Sequence, residues 1–234
     1  MGKIVIIGAS SEIGVAIVEK MSLFNRPMVL QYNSNSEPLE RWSSNSQIVK
    51  CNFSSEPELD SFIETLKEVD ILIFAAGRTD SALLPELSNS TIDEMIAVNI
   101  VAFTKICRAI IPSMARRRVG TIIGISSVAA KKVYRGQSLY AGTKAYMEAM
   151  VKGIASEWGK KGIRANCVAP GSIDAGVLKR MHHISPQELL KVNANNRMGS
   201  PKDVAEAVYF LSSSASSFIN GATLAVDGAH QMGV

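Results

Sequence analysis

The sequence predicts an α/β protein built on a doubly wound, mainly parallel sheet of seven strands with helices on both faces. Three observations carry this. Seven short apolar runs bounded by turn residues recur along the chain. Helix-length amphipathic segments lie between them, and alternating strands and helices imply parallel pairing through right-handed crossovers. The 234 residues are 47% hydrophobic and 20% charged, a composition that builds a buried core rather than a disordered chain. With no repeat or linker between two cores, one domain over residues 1–234 is expected.

The elements follow in chain order. KIVIIG (3–8) is the first strand, and Ile13, Ala16, Ile17, Lys20 and Met21 then fall at helical spacing with a mainly apolar inward stripe. MVLQY is the second strand and leads into a polar Ser/Asn-rich connection; IVKC is the third. Ser55 with Glu58 has capping-box spacing for the next helix, DILIFAAG is the fourth strand, and Thr91 with Glu94 repeats the capping pattern. GTIIGISS is the fifth strand, LYAGTKAYMEAMVKGIASEW a long helix, and IRANCVAPG the sixth strand. Ser185-Pro186 and Ser200-Pro201 place proline at first helical positions before ATLAVDG, the seventh strand.

Composition also excludes classes of function. The net charge is +4 and the pI about 9.0, but the dense basic run is short, Arg116 to Arg118, so nucleic acid is not an expected partner. Cys51, Cys107 and Cys167 are odd in number and lack metal-ligand spacing, which fits a reducing cytoplasm and no metal site. His182 and His183 read as exposed residues of a polar segment. Ile6 makes Gly2 a poor acylation site, MGKIVIIG reads as a strand rather than a leader, and no apolar run is expected to span a membrane.

Two motifs carry chemistry. GASSEIG, Gly8 to Gly14, joins the first strand to the first helix, where a tight turn and a helix N-terminus can hold a diphosphate. An ordinary strand-to-helix turn with an acidic first helical residue is the competing reading. In YAGTK, Tyr140 and Lys144 lie one helical turn apart. A Lys ammonium ~5 Å from a phenol, at an effective dielectric of ~20, favours phenolate by roughly 3 kcal/mol, or about two pKa units. The competing reading there is a solvated helix face.

Order and spacing make these motifs specific. GASSEIG, FAAG (74–77), Asn99, ISSVAA, YAGTK and VAPGSI occur in turn, with Ser127 13 residues before Tyr140 and Asn99 28 before Ser127. Over essentially its whole length the chain resembles the short-chain dehydrogenase/reductase family, which implies a Rossmann-type fold and a catalytic tetrad of Asn99, Ser127, Tyr140 and Lys144. By that resemblance Tyr140 exchanges a proton with the substrate oxygen, Lys144 binds the nicotinamide ribose and favours tyrosinate, Ser127 hydrogen-bonds the substrate oxygen, and Asn99 holds a water that connects Lys144 to solvent. Ser126 is expected to be structural.

The resemblance likewise implies a dinucleotide held by Gly8, Ser10, Ser11, Ile13 and Gly14, by Asn33 and Ser34, by Asn52 and Phe53, by Ala75, Ala76 and Gly77, by Tyr140 and Lys144, and by Pro170, Gly171 and Ile173. The chain departs from the family at Glu12, in place of a glycine, at Ser11, in place of a basic residue, at Ala75 and Asn52, in place of Asn and an acid, and at Ala175, in place of Thr. Glu12 is expected to face outward. The second strand ends in QYNSN without an acid for the ribose hydroxyls, which favours NADP over NAD, with Asn33, Ser34 and Arg41 near the 2′-phosphate.

Within the family the chain is most similar to 3-oxoacyl-acyl carrier protein reductases, implying reduction of a 3-oxoacyl thioester, a substrate lid at about 174–199, and a homotetramer or homodimer. Arg118 and Lys161 fall where those reductases meet the acidic carrier protein; complementing a helix C-terminus is the other reading of the arginines. Two alternatives stay open: a dehydrogenase of a sugar, polyol or other secondary alcohol, and a non-catalytic cofactor-sensing protein.

Overall fold

The computed structural model describes residues 2–175 and 194–230. Seven strands, β1 (Lys3–Ile7), β2 (Met28–Tyr32), β3 (Ser46–Lys50), β4 (Val69–Phe74), β5 (Gly120–Ile125), β6 (Ile163–Pro170) and β7 (Thr223–Val226), form one sheet in the order β3-β2-β1-β4-β5-β6-β7. All six pairings are parallel. The seven strands read from the sequence are therefore the seven observed. Their continuous apolar runs follow from burial on both faces.

Successive strand residues alternate between two cores. Val5, Ile7, Leu72, Phe74 and Ile122 meet α2 (Glu56–Glu64), α4 (Phe103–Arg117) and α5 (Ser138–Trp158). Ile4, Ile6, Ile71, Ile73 and Ile123 meet α1 (Glu12–Met21) and α6 (Pro201–Ser212). Each fully buried Ile or Leu contributes about 1.5–3 kcal/mol relative to exposure. The sheet order reverses between β1 and β4, so a crevice opens at the carboxyl ends of these strands, where open α/β sheets bind ligands.

Local starts differ from expectation in two places. Ser55 precedes α2, but its side chain makes no cap; Glu58 instead accepts the Asn52 N–H at 2.9 Å, fixing the turn after β3. Helix α3 (Asn89–Ile96) begins earlier than Thr91 because Ser88 is the cap, its hydroxyl accepting the Thr91 N–H. The Ser200-Pro201 start is found as read, with Ser200 and Asp203 forming a reciprocal capping box and Arg197 gripping Asp203 through two 2.9 Å bonds. The Ser185-Pro186 start, His182 and His183 lie outside the described residues.

Helix α3, a π-helical turn (Ala97–Ala102) and α4 run continuously, so Asn89–Arg117 is long and apolar enough to cross a membrane, contrary to the sequence expectation. Its apolar stripe is used inside the protein: Met95, Phe103, Ile106, Ile110 and Met114 are all buried.

Candidate active site

The expected site residues gather along one edge because parallel strands end together. Gly8 to Gly14 follows β1, Asn33 and Ser34 follow β2, Asn52 and Phe53 follow β3, and Ala75 to Gly77 follow β4. Ser127 follows β5, Pro170, Gly171 and Ile173 close β6, and Asn99, Tyr140 and Lys144 reach in from the π-helical turn and α5.

The β1–α1 turn is built around two glycines. Gly8 has φ +73°, and a Cβ there would sit 2.7 Å from the Ala76 nitrogen, so only glycine lets the β1 and β4 ends approach this closely. A Cβ on Gly14 would lie 2.2 Å from the Gly8 carbonyl oxygen. Ser11, the α1 cap, accepts the Gly14 N–H and donates to the Gly8 carbonyl, both at 3.0 Å. Glu12 is the exposed first residue of α1 and Ile13 the second; the Ile13 N–H is a first-turn donor for an anion. A cradle that a single Cβ would fill, at a helix N-terminus, fits a dinucleotide diphosphate.

Sequence reasoning missed Gln31. This buried β2 side chain accepts the Gly8 N–H at 2.9 Å and donates to the Cys51 carbonyl at 2.8 Å, tying the cradle to the end of β3. A lone amide inside the apolar run MVLQY was its signal. Asn33 and Ser34 are exposed beyond β2, and Arg41 stacks on Trp42 at 3.9 Å and pairs with Glu19 at 3.4 Å. Asn52 accepts the Ser54 N–H through its side-chain oxygen. The Phe53 ring packs against Phe62 and Phe74 in the core, so only its backbone faces the crevice edge.

The four catalytic candidates are brought together by a short chain of contacts. Asn99 is fully buried: its amide donates to the Arg78 carbonyl at 2.8 Å and the Thr143 hydroxyl at 2.9 Å, while its oxygen accepts the Arg78 N–H at 2.8 Å. Its side chain therefore clamps the segment after β4 to α5. Lys144, beside Thr143, is buried and donates to the Ile125 carbonyl at 2.7 Å, and a Cβ on Gly77 would lie 3.3 Å from its ammonium nitrogen. Ser127 accepts the Ala129 N–H at 3.1 Å and acts on the Tyr140 phenol in the direction that favours phenolate. Ser126 turns the other way, donating to Glu148 at 2.9 Å inside the core, as a structural neighbour would.

The electrostatics correct one expectation. Lys144 lies 5.7 Å from the Tyr140 ring centre, close to the assumed separation, yet the Tyr140 phenol is held above its ordinary range. Burial removes solvent from the phenolate and outweighs the opposing effect of Ser127. Burial also lowers Lys144 to about 8, so the cation that would favour phenolate is itself weakened. At neutral pH the pair is a phenol beside an ammonium: a proton donor for an oxygen that gains negative charge.

The end of β6 is equally close-packed. A Cβ on Gly171 would meet Asp227 at 2.7 Å, and the Ile173 side chain sits in the α1/α6 core while its backbone pairs with Gly199. Arg118 and Lys161, by contrast, precede β5 and β6 and occupy the opposite edge of the sheet. Arg118 ends α4 in the left-handed region and donates to the Lys160 carbonyl at 3.1 Å, the helix-terminus arrangement.

The chain is similar to known proteins over most of its length. Residues 8–230 match the family model described as enoyl-(acyl carrier protein) reductase. The chain is 36% identical over 180 residues to the 3-oxoacyl-[acyl-carrier-protein] reductase FabG of Chlamydia trachomatis, covering 77% of this chain and 73% of the relative. It is 32% identical over 227 residues to FabG of Rickettsia bellii, covering 95% and 94%. The solved structure of ElxO with NADP bound superposes with a TM-score of 0.88 at 23% identity, covering 99% of this chain and all of that one, and so shares its fold. With its tetrad residues assembled at the carboxyl edge of a doubly wound sheet, the chain belongs to the short-chain dehydrogenase/reductase family of oxidoreductases.

Proposed function

We propose that the protein is an NADPH-dependent reductase of 3-oxoacyl thioesters. The observation that carries this is the junction of Ser127, Tyr140 and buried Lys144, with the phenol protonated at neutrality. A bound reduced nicotinamide supplies hydride to the carbonyl carbon. Tyr140 gives its phenolic proton to the carbonyl oxygen, Ser127 donates a hydrogen bond to the same oxygen, and Lys144 stabilises the phenolate left behind. Asn99 keeps the Arg78 segment and α5 in register. Its amide nitrogen is committed to the Arg78 carbonyl and the Thr143 hydroxyl, while its oxygen accepts the Arg78 N–H and keeps a second lone pair for the expected water.

Gly8, Ser10, Ser11, Ile13 and Gly14 would hold the diphosphate, Asn52 with Ala75 to Gly77 the adenosine half, and Pro170, Gly171 and Ile173 the nicotinamide end. NADP rather than NAD is supported by the exposed Asn33 and Ser34, the absence of an acid in QYNSN, and the NADP bound to ElxO, which shares the fold. Comparing kcat/KM for NADPH and NADH with an acetoacetyl thioester tests both halves of the reading. A clear preference for NADPH is expected; thioester turnover with NADH alone would refute the cofactor assignment.

Buried Lys144 also sets a pH dependence. Its ammonium loses its proton near pH 8, so kcat/KM for reduction should fall as pH rises through about 8; a flat profile to pH ~10 would contradict this role. The stability sign is opposite. A lysine whose folded pKa lies below the unfolded value of ~10.4 contributes increasing stability as pH rises between about 8 and that value, because the unfolded chain binds more protons.

Delivery by an acidic carrier protein is part of the proposal, with Arg118 and Lys161 as the docking pair and a homotetramer or homodimer as the working assembly. Exposed Phe218, Phe210 and Leu224 near the β7 edge fit a subunit contact. Three buried free cysteines fit a reducing cytoplasm. Replacing Arg118 and Lys161 by Glu should raise KM for the carrier-bound substrate and leave a small thioester unaffected; equal effects on both substrates would exclude docking there.

A further inference from the structure

The loop between Ser127 and Tyr140 carries a feature that the catalytic chemistry does not use. Lys131, Lys132 and Arg135 place three cations within five residues, and none forms an ion pair among the described residues. Val133 and Tyr134 between them are 58% and 37% exposed, so the loop presents apolar surface flanked by positive charge.

This loop is anchored rather than loose. Lys131 and Lys132 both donate backbone N–H groups to the Val128 carbonyl, and the Ala82 N–H binds the Gly136 carbonyl at 3.1 Å. Tyr134 meets buried His230 through its hydroxyl and, edge to face, at 5.8 Å between rings. Tyr134 lies beyond the end of β5 and His230 beyond the end of β7, so their contact spans the end of β6, where Pro170 and Gly171 sit. Of the acids on the packed segments, Asp80 accepts the Ser81 N–H, Glu86 the Leu83 N–H and Asp227 the Ala229 N–H, each bonded to its own backbone.

Position distinguishes this loop from the other basic edge. Lys131 follows Ser127 by four residues, which bounds their Cα separation at about 14 Å. Arg118 stands at the far end of β5, a six-residue strand about 20 Å long. The basic loop therefore lies nearer to Ser127 than Arg118 does.

We propose that Lys131, Lys132 and Arg135 bind the phosphate of a pantetheine arm, with Val133 and Tyr134 against its apolar methyl-bearing segment. The proposal rests on the thioester reading of the site and adds where the anionic part of that substrate is held. The arm has two sources, free coenzyme A and a carrier protein, which share this phosphate.

The test is equilibrium binding, which needs no turnover, to the full chain with NADPH present and to Lys131→Gln/Lys132→Gln/Arg135→Gln. Coenzyme A, pantetheine and pantetheinylated acyl carrier protein are the probes. At least a tenfold rise in the coenzyme A dissociation constant is expected, with pantetheine and NADPH unchanged and a shallower salt dependence than in the wild type. A loss confined to the carrier protein supports the site and assigns the phosphate to the carrier. Probes that bind the triple variant as tightly as the wild type, or a wild type that binds neither coenzyme A nor the pantetheinylated carrier protein better than pantetheine, would overturn the proposal. Arm binding without thioester reduction would refute the reductase reading alone.

Discussion

Tyr140→Phe should lower kcat for carbonyl reduction by roughly 10²–10⁴-fold, the usual contribution of a positioned proton donor, while NADPH binds with little change. The substitution removes one oxygen and leaves the ring in place. Nothing else in the assembled group offers a proton at that point, because the Ser127 hydroxyl is not acidic enough and the Lys144 ammonium is engaged with the Ile125 carbonyl. Stopped-flow measurement of cofactor binding beside steady-state turnover separates the two steps. A fall in kcat and in NADPH affinity together would indicate a structural role; retained turnover would remove Tyr140 from the chemistry, whereas unchanged biological activity of a Tyr140→Phe protein that no longer turns over would revive a binding-only protein.

Gly14→Ala should be nearly as severe for a different reason. The added methyl would lie 2.2 Å from the Gly8 carbonyl oxygen and 2.7 Å from that of Ala9, both backbone atoms that no rotamer change can move. Relief requires α1 to shift away from the turn, breaking the Ser11 cap and misplacing the N–H groups meant for the diphosphate. Overpacking of this kind costs about 1–3 kcal/mol, so a Tm lowered by several degrees is expected with at least a tenfold weaker NADPH complex. Glu12→Gly is the informative companion: at an exposed first helical position it should change the dissociation constant little. A large tightening would mean that the Glu12 carboxylate faces the cofactor.

Much of this architecture is legible in the chain because the relevant forces are local or periodic. Runs such as DILIFAAG and GTIIGISS could only be strands covered on both faces, and parallel pairing then brings their glycine- and serine-bearing ends to one edge. Helical spacing puts Tyr140 and Lys144 together without knowledge of the rest. What spacing cannot express is competition between partners. Glu58 fits a capping box on paper, yet the Asn52 N–H takes it; the motif gives Asn99 no structural partner, yet its amide also clamps the Arg78 backbone to Thr143.

The Tyr140 phenol shows the same limit in energy. A pairwise Coulomb estimate contains the attraction of Lys144 but not the desolvation that a folded crevice imposes on both groups, and desolvation wins. Gln31 and the loop at Lys131 to Arg135 acquire meaning only when the sheet places one behind the phosphate turn and the other beside the catalytic serine. The opposite placement of Arg118 and Lys161 was available in the sequence, since both immediately precede strands, whereas Ser127 follows one.

The most direct test of the reductase assignment is product formation by the wild-type protein from an acetoacetyl thioester and NADPH, followed chromatographically. One 3-hydroxybutyryl thioester is expected for each NADPH consumed. Cofactor that binds while the thioester emerges unreduced would contradict it.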